Sequence, residues 1–445
     1  MRGLKAAYYA FALGAMMLFT PACILAGDGN LPPQKPLARL VINTIFLHAI
    51  AVYVWLFSDK GLRIERRHWA LFTWVGLLFC AMPPVFSGDL HDYLMYGRIF
   101  GVYHDNPYVI PRFYPDDPFY SLSVWVGQNK VPQNYGPVWT LVQWIAPTLF
   151  RDSYVLSLFF FKLMLFGFLA CSAWLFRKIA LRMDPQKAEW LTALFVLNPN
   201  LVSQTLIDGH NDILMVLLML AAFYFMVKQN DLASVVFASL SVLVKFTSVV
   251  VLPAVVVYAL GSGRYASPPR KLFHLTRSAL LFAAICAAFY APFWEGKPLA
   301  YFSTFGTWFA SNSVPYAVQA ALARIGIGIP SVAVQHFFSM FFAANVFAAL
   351  AWLALRPRAE PRHAALALSW MFLAMVGSYT IPFYGHHLLW AFAFLLLADL
   401  PAPLVWVALY TASGVFFYFK RLSVLFVLSI AAYLGCLAGG RRPRA

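Results

Sequence analysis

Long apolar runs separated by short polar clusters recur along the chain, and they read as membrane-crossing helices. The runs lie at about 7–26, 38–57, 69–86, 153–176, 188–206, 212–228, 276–293, 331–355 and 363–381. Most come close to the ~20 residues a helix needs to span about 30 Å of hydrocarbon. Two segments depart from the pattern. Residues 135–150, "YGPVWTLVQWIAPTLF", are short and proline-flanked, and read as a re-entrant or interfacial helix. Residues 231–260 are too long for one crossing and carry Lys245 at their middle. They read as two half-helices meeting at "VKFT", since broken backbone at membrane depth is tolerated only where protein or a water-filled cavity covers it. The remainder, about 388–440, holds two or three more crossings. The predicted fold is an all-α polytopic membrane protein of about 11 to 13 spans, a single integral membrane domain over residues 1–445. No internal repeat and no low-complexity segment interrupts it.

Composition agrees with that pattern. The chain is 62% hydrophobic and 11% charged, against roughly 25% charged for a soluble domain. The net charge of +16 does not point to nucleic acid, because the basic residues form short clusters between apolar runs: "KGLRIERRH", "RKIALRMDPQK", "RYASPPRKLFHLTR", "RPRAEPRH" and the tail "RRPRA". Such clusters mark cytoplasmic loops. The segment after the third run therefore falls outside the cytoplasm, and the predicted location is the plasma (inner) membrane with the polar site facing the periplasm or exterior. The N-terminus reads as a retained helix, not a cleaved signal, because "TPAC" is a poor lipoprotein cleavage motif. The five cysteines, Cys23, Cys80, Cys171, Cys286 and Cys436, sit in or beside apolar runs without CxxC or CxxH spacing. They imply no disulfide framework.

Candidate chemistry gathers on that outer face. The window "SGDLHDYLMYGRIFGVYHDNPYVIPRFYPDDPF" holds five of the 17 acidic residues: Asp89, Asp92, Asp105, Asp116 and Asp117. Read as a helix, its start places Asp89, Asp92, Tyr93 and Tyr96 on one side at i, i+3, i+4 and i+7, with Leu90, Met95, Ile99 and Phe100 on the rest. This predicts an amphipathic helix lying at the membrane surface, in a first large outer loop of about 87–135. A carboxylate there suits a general base for a hydroxyl nucleophile; spacing alone does not choose between Asp89 and Asp92. Asp105, Asp116 and Asp117 read as the solvated part of the loop. "DGHND" (208–212) and "PFYGHH" (382–387) land on the same face. Asn211 and Asp212 either bind a substrate or fix the hairpin. Lys245, Arg98, His386 and His387 are candidates to offset negative charge on a leaving group. Snorkelling, or an ion pair with Asp208 or Asp212, is the alternative for Lys245, and Lys162 is a weaker case of the same kind. Trp125, Tyr135 and Trp139 either stack on a substrate or belong to interfacial belts. His91, His104, His210, His386 and His387 could meet near the acidic residues, but no HxH or HxxxH spacing marks a ligand set, so no metal is expected and a divalent ion stays an open alternative.

In order, "SGDLHDYLMYGR", "NPY", "YPDDP", "YGPVW", "NPNLVSQTLIDGHNDILMVLLML" and "LVKFTSVVVLP" resemble the polytopic glycosyltransferases of the GT-C type. The closest likeness is to the bacterial polyprenol-phosphate-mannose-dependent α-1,6-mannopyranosyltransferases. The resemblance runs from about residue 85 to 260, and more faintly through "PFYGHHLLW". It implies a lipid-linked polyprenyl-phosphate sugar donor, a glycan or lipid acceptor, and a catalytic base at the start of the outer loop, which is Asp89 here. Substrate-binding residues would be Asp92, Tyr96, Arg98, Tyr135, His210, Asn211, Asp212, Lys245, Tyr384, His386 and His387, with no cofactor. The chain lacks any Gly-rich phosphate loop that a nucleotide sugar would call for. A single base with a good leaving group predicts inversion. His91 and "FYGHH" depart from the family pattern and leave the sugar (a hexose such as mannose) and the acceptor open. Three rival readings remain. A transporter or lipid-linked-sugar flippase fits the broken helices. An oligosaccharide polymerase or ligase would also use lipid-linked sugars. A structural membrane-assembly protein would not call for these motifs together.

Overall fold

The computed structural model describes residues 5, 7–10, 12, 48–49, 51–57, 65–84, 87–109, 114–123, 131–295, 309–310, 313–356, 358–379 and 384–398. Among them every regular element is helical. In chain order these are α1 (Arg66–Cys80), α2 (Asp89–Gly101), α3 (Pro137–Phe150), α4 (Tyr154–Met183), α5 (Ala188–Val196), α6 (Pro199–Val202), α7 (Asp212–Val227), α8 (Asp231–Val242), α9 (Val251–Gly261), α10 (Pro268–Tyr290), α11 (Val314–Arg324), α12 (Ser331–Ala354), α13 (Pro361–Ser378) and α14 (Leu389–Leu397). The chain is a polytopic all-α membrane protein.

Three of the described helices are long and apolar enough to cross a membrane: α4, α10 with the turn that follows it, and α12. The last two leave Leu272, Phe273, Leu280, Phe337, Met340 and Phe347 exposed, as lipid-facing helices do, because hydrocarbon imposes no penalty on apolar surface. A bent pair, residues Pro199–Ile207 and Asp212–Val227, meets at 120° and forms either one broken span or a re-entrant loop. The runs expected at 7–26 and 388–440 lie largely outside the described residues.

Hydropathy at 188–206 predicts one continuous span, and the structure differs. The helix stops after α5. Asn198 then caps α6, its side chain accepting the N–H groups of Asn200 and Leu201 at 3.0 and 3.3 Å. Pro199 takes the first helical position, where its missing N–H costs nothing. A π-turn, Ser203–Ile207, follows before the chain folds back into α7. By contrast, 231–260 is two short helices with the break at Leu243–Lys245, as its length and its central lysine imply.

That break leaves backbone groups without helical partners, and α3 supplies them. The N–H groups of Gly136 and Val138 donate to the carbonyls of Val244 and Leu243 at 3.1 and 3.0 Å. Orphan donors at a helix start thus meet orphan carbonyls at a helix break, which is how irregular backbone survives away from water. The "YGP" motif follows from this contact. A side chain at Gly136 would run into the Leu243 carbonyl, and Pro137 opens the helix.

The expected amphipathic surface helix forms over the expected residues but has no free polar face. Leu90, Asp92, Tyr93, Leu94, Met95, Tyr96, Arg98 and Ile99 are all buried. One side lies on α3. The polar side is covered by the return of the loop itself: Ser123 donates to Asp92, and the Tyr96 hydroxyl donates to the carbonyls of Val131 and Pro132 at 2.8 and 3.1 Å. Period alone could not distinguish water from the loop's own backbone as the partner of that face.

Candidate functional site

Three short pieces of chain converge at the N-terminal end of α2. The first is Ser87–Gly88–Asp89. The second is the turn between α6 and α7, where Gly209 takes φ +74°, a left-handed conformation that glycine adopts without strain. A Cβ at Gly209 would come within 2.9 Å of Leu90, so the same residue permits both the turn and its contact with α2. The third is the turn Gly385–Leu388 that opens α14.

Asp89 occupies the first position of α2 with its side chain 28% exposed, and its Oδ2 lies 3.4 Å from His210 Nδ1. Its own N–H donates to Ser87 Oγ at 3.2 Å. Desolvation pushes its carboxyl upward, but the His210 imidazole, the Lys245 ammonium and the Ser87 hydroxyl outweigh that and hold it below the ordinary carboxylate range. Asp89 is thus a charged carboxylate that solvent can still reach. Asp92, one turn on, is buried and holds the Ser123 hydroxyl.

Asp212 opens α7 and is fully buried. Its Oδ1 accepts from Lys245 Nζ at 2.9 Å and from the indole N–H of Trp390, and the positive end of the helix dipole favours its charge. Of the readings open for Lys245, the structure forms the ion pair with Asp212. The ammonium also lies 5.2 Å from the Trp390 ring centre and 5.8 Å from that of Tyr135, cation–π distances that help hold it at the break. The Tyr135 hydroxyl meets Tyr93 Oη at 3.3 Å. Beneath them Tyr93, Trp139 and Phe161 pack edge to face, with ring centres 5.2 and 5.6 Å apart along the series. This gives the floor of the site a rigid apolar base.

The His386 ring lies over that of His210 with centres 3.9 Å apart, and Tyr384 stacks on His386 at 5.4 Å. His387 packs against Trp390. Asn211 is fully buried, and neither its Oδ1 nor its Nδ2 has a hydrogen-bond partner. His210, Asp212 and His386 each offer a ligand atom within 4.8 Å of the others, a grouping that no local spacing announces because it joins segments far apart in the chain.

Of the residues selected from sequence, Asp89, Tyr135, His210, Asn211, Asp212, Lys245, Tyr384, His386 and His387 come together here. Tyr96 and Arg98 do not. Tyr96 holds the loop's return. Arg98 lies nine residues along α2 from Asp89, about 13 Å at helical rise. Its guanidinium is buried against Asp117 at 2.5 Å, Asp152 at 2.8 Å, the Arg151 carbonyl and the face of Phe119. Asp117, expected in solvent, is buried and also accepts from the Tyr103 hydroxyl at 2.6 Å and the Phe119 N–H at 2.7 Å. Lys162 is likewise buried and donates to the Met82 carbonyl just beyond α1. His91 pairs with the Tyr154 hydroxyl. Trp125 lies outside the described residues. Sequence reasoning missed Trp390. The signal was its place in "HHLLW", three and four residues from the two histidines and so on their side of a helix.

A family model described as alpha-(1->6)-mannopyranosyltransferase, N-terminal domain, matches residues 11–261. The matched stretch carries Asp89, Tyr135, His210, Asp212 and Lys245; His386 and Trp390 lie beyond it. No curated protein matches the chain, and no solved structure does. The match covers more than half of the sequence and agrees with the all-helical membrane fold, so the chain belongs to the alpha-(1->6)-mannopyranosyltransferase family and is a membrane glycosyltransferase.

Proposed function

We propose that this protein, as a single GT-C type domain in the plasma membrane, transfers one hexose, mannose, from a polyprenyl-phosphate donor to a hydroxyl of a glycan or lipid acceptor on the extracytoplasmic face. The observation that carries this reading is Asp89, a partly exposed carboxylate held charged at the mouth of a site that is otherwise largely buried. Asp89 takes the acceptor proton as the hydroxyl oxygen bonds to the anomeric carbon. The bond from that carbon to the phosphate oxygen breaks, and polyprenyl phosphate leaves with the electron pair. One displacement inverts the anomeric centre. Lys245 has three N–H donors, of which Asp212 takes one; the others are placed to meet the departing phosphate. Tyr135 and Tyr384 offer ring faces for the sugar or the acceptor. The distribution of basic clusters supports the outward orientation of the site.

The test is transfer of radiolabelled mannose from polyprenyl-phosphate mannose in membranes carrying wild type, Asp89→Asn or Asp92→Asn at matched expression. Asp89→Asn is expected to lower transfer by a factor on the order of 10² to 10⁴ while insertion and melting stay unchanged. Equal transfer by wild type and Asp89→Asn would move the base elsewhere. The 120° bend between α6 and α7 also suits a flippase. Lipid flipping that persists in a wild-type protein unable to transfer sugar would favour that second reading.

A further inference from the structure

We propose that His210, Asp212 and His386 bind a divalent cation of the Zn²⁺ or Co²⁺ kind beside Asp89. Three independent observations converge on it. First, the three residues present ligand atoms within 4.8 Å of one another, and all three are buried. A tetrahedral centre with bonds of 2.0–2.1 Å sets ligand atoms about 3.4 Å apart, a difference that rotation of the side chains closes. Second, ligand atoms in this group are left over. Asp212 Oδ1 already receives Lys245 and Trp390, while its Oδ2 has no partner; His386 Nδ1 has none either. Buried polar atoms are paired in the great majority of cases, so the orphans in this one three-residue group, with Asn211 orphaned alongside, point to a missing partner that accepts lone pairs. Third, His210 is placed for the outer contact that a metal-bound imidazole makes. Its Nδ1 faces Asp89 Oδ2 at 3.4 Å, and histidines that bind metal through one ring nitrogen give the other to a carboxylate.

The assignment of atoms follows. His210 binds through Nε2, His386 through Nδ1 and Asp212 through Oδ2. Lys245 stays on the opposite oxygen of Asp212, so its ammonium does not compete for the same lone pair. Two imidazoles and one carboxylate favour the later first-row ions over Mg²⁺ or Ca²⁺, which prefer all-oxygen cages. Three protein ligands leave a fourth position open, the pattern of a site that takes substrate. Given the transfer proposed above, that position receives a phosphate oxygen of the donor. The cation site itself stands on the geometry and does not depend on that role.

The test uses the purified full-length protein in detergent, stripped with chelator and then titrated with Co²⁺, read by visible absorption, with bound Zn²⁺ measured after dialysis. One ion per chain is expected. His386→Ala and Asp212→Asn should each weaken Co²⁺ binding by more than the 10- to 100-fold that loss of an outer partner costs. His386→Asp, which keeps a ligand, should retain the ion with an altered spectrum, and this variant guards against mere misfolding. His104→Ala, on the loop away from the cluster, should bind as wild type does. No stoichiometric Co²⁺ or Zn²⁺ on the wild type, or equal binding by wild type, His386→Ala and Asp212→Asn, would overturn the proposal. Metal binding is read without transfer, so an ion on a protein whose Asp89→Asn variant still transfers would sink only the base assignment. Full Asp89 dependence with no ion bound would sink only the metal.

Discussion

The two ends of α2 hold buried charge in opposite ways. At the C-terminal end Arg98 is saturated: two carboxylates, a carbonyl and an aromatic ring surround its guanidinium, and Asp117 accepts from two further donors, the Tyr103 hydroxyl and the Phe119 N–H. At the N-terminal end Asp89 faces His210 at 3.4 Å and the Ser87 hydroxyl and remains partly open to water, and the groups behind it include polar atoms with no partner at all. Both ends arise from the same acidic window. A charge whose hydrogen-bonding capacity is used up braces the fold, while a charge held ionised but left partly unoccupied is available for chemistry. Unsatisfied buried groups destabilise, so their concentration at one end of one helix is the mark of a site.

Substitutions at the two ends should therefore separate activity from stability. The largest structural effect is expected from Asp117→Asn, which strips a buried guanidinium of its principal counter-charge. Breaking one partner of such a pair costs about 3–5 kcal/mol, so the detergent-solubilised protein should melt markedly lower, the reverse of the pattern expected for Asp89→Asn. A melting temperature close to wild type for Asp117→Asn would erase the distinction drawn between the ends. Gly209→Ala comes next. The left-handed φ costs an L-residue about 1–2 kcal/mol, and the new Cβ presses on Leu90, the neighbour of Asp89. Transfer should fall about tenfold or more, because a small displacement of a base from its substrate is expensive, while the protein remains inserted. Unchanged turnover would mean that the turn does not position α2.

Acidity probes the open end directly. Because the carboxyl of Asp89 titrates below the ordinary range in the folded protein, its base form is complete above that range and is lost only as pH falls through the lowered value. Transfer should stay flat down to mildly acidic pH, and Ser87→Ala, removing one of the groups that lower it, should move the acidic limb of kcat/KM upward. A limb that moves downward would contradict the role of Ser87. The smallest effect should come from Asp152→Asn. Asp152 is 79% exposed, and exposed partners contribute about 0–1 kcal/mol, so melting should barely change even though it touches the same arginine as Asp117.

Much of this arrangement was legible in the sequence because membranes constrain backbone so strongly. The broken segment at 231–260 followed from its length and from Lys245 at its centre. The placing of "SGD", "GHND" and "GHH" on one face followed from the alternation of basic loops. Hidden features were those decided by partners distant along the chain. Asp117 looked like any loop carboxylate until Arg98, two helical turns past the acidic start, was seen to need it. Helical spacing put Asp92 and Asp89 on one side of α2, yet only the returning loop, through Ser123, separates the covered carboxylate from the open one. The span at 188–206 misled because hydropathy is indifferent to Asn198–Pro199, whereas backbone hydrogen bonding is not. Trp390 was hidden by being apolar: its indole N–H matters only once Asp212 lies beneath it.

The hydrogen bonds from Gly136 and Val138 to Val244 and Leu243 make the end of the loop after α2 and the helix break at 243–245 parts of one rigid joint. Their contact is between main chains, so exchanging side chains on either partner cannot re-register it. A chimera that imports a foreign outer loop, as a route to a new acceptor, must therefore carry its own matching half-helix junction across 243–245. Grafted alone, such a loop would leave two carbonyls stranded without partners and would shift Asp89 relative to Lys245.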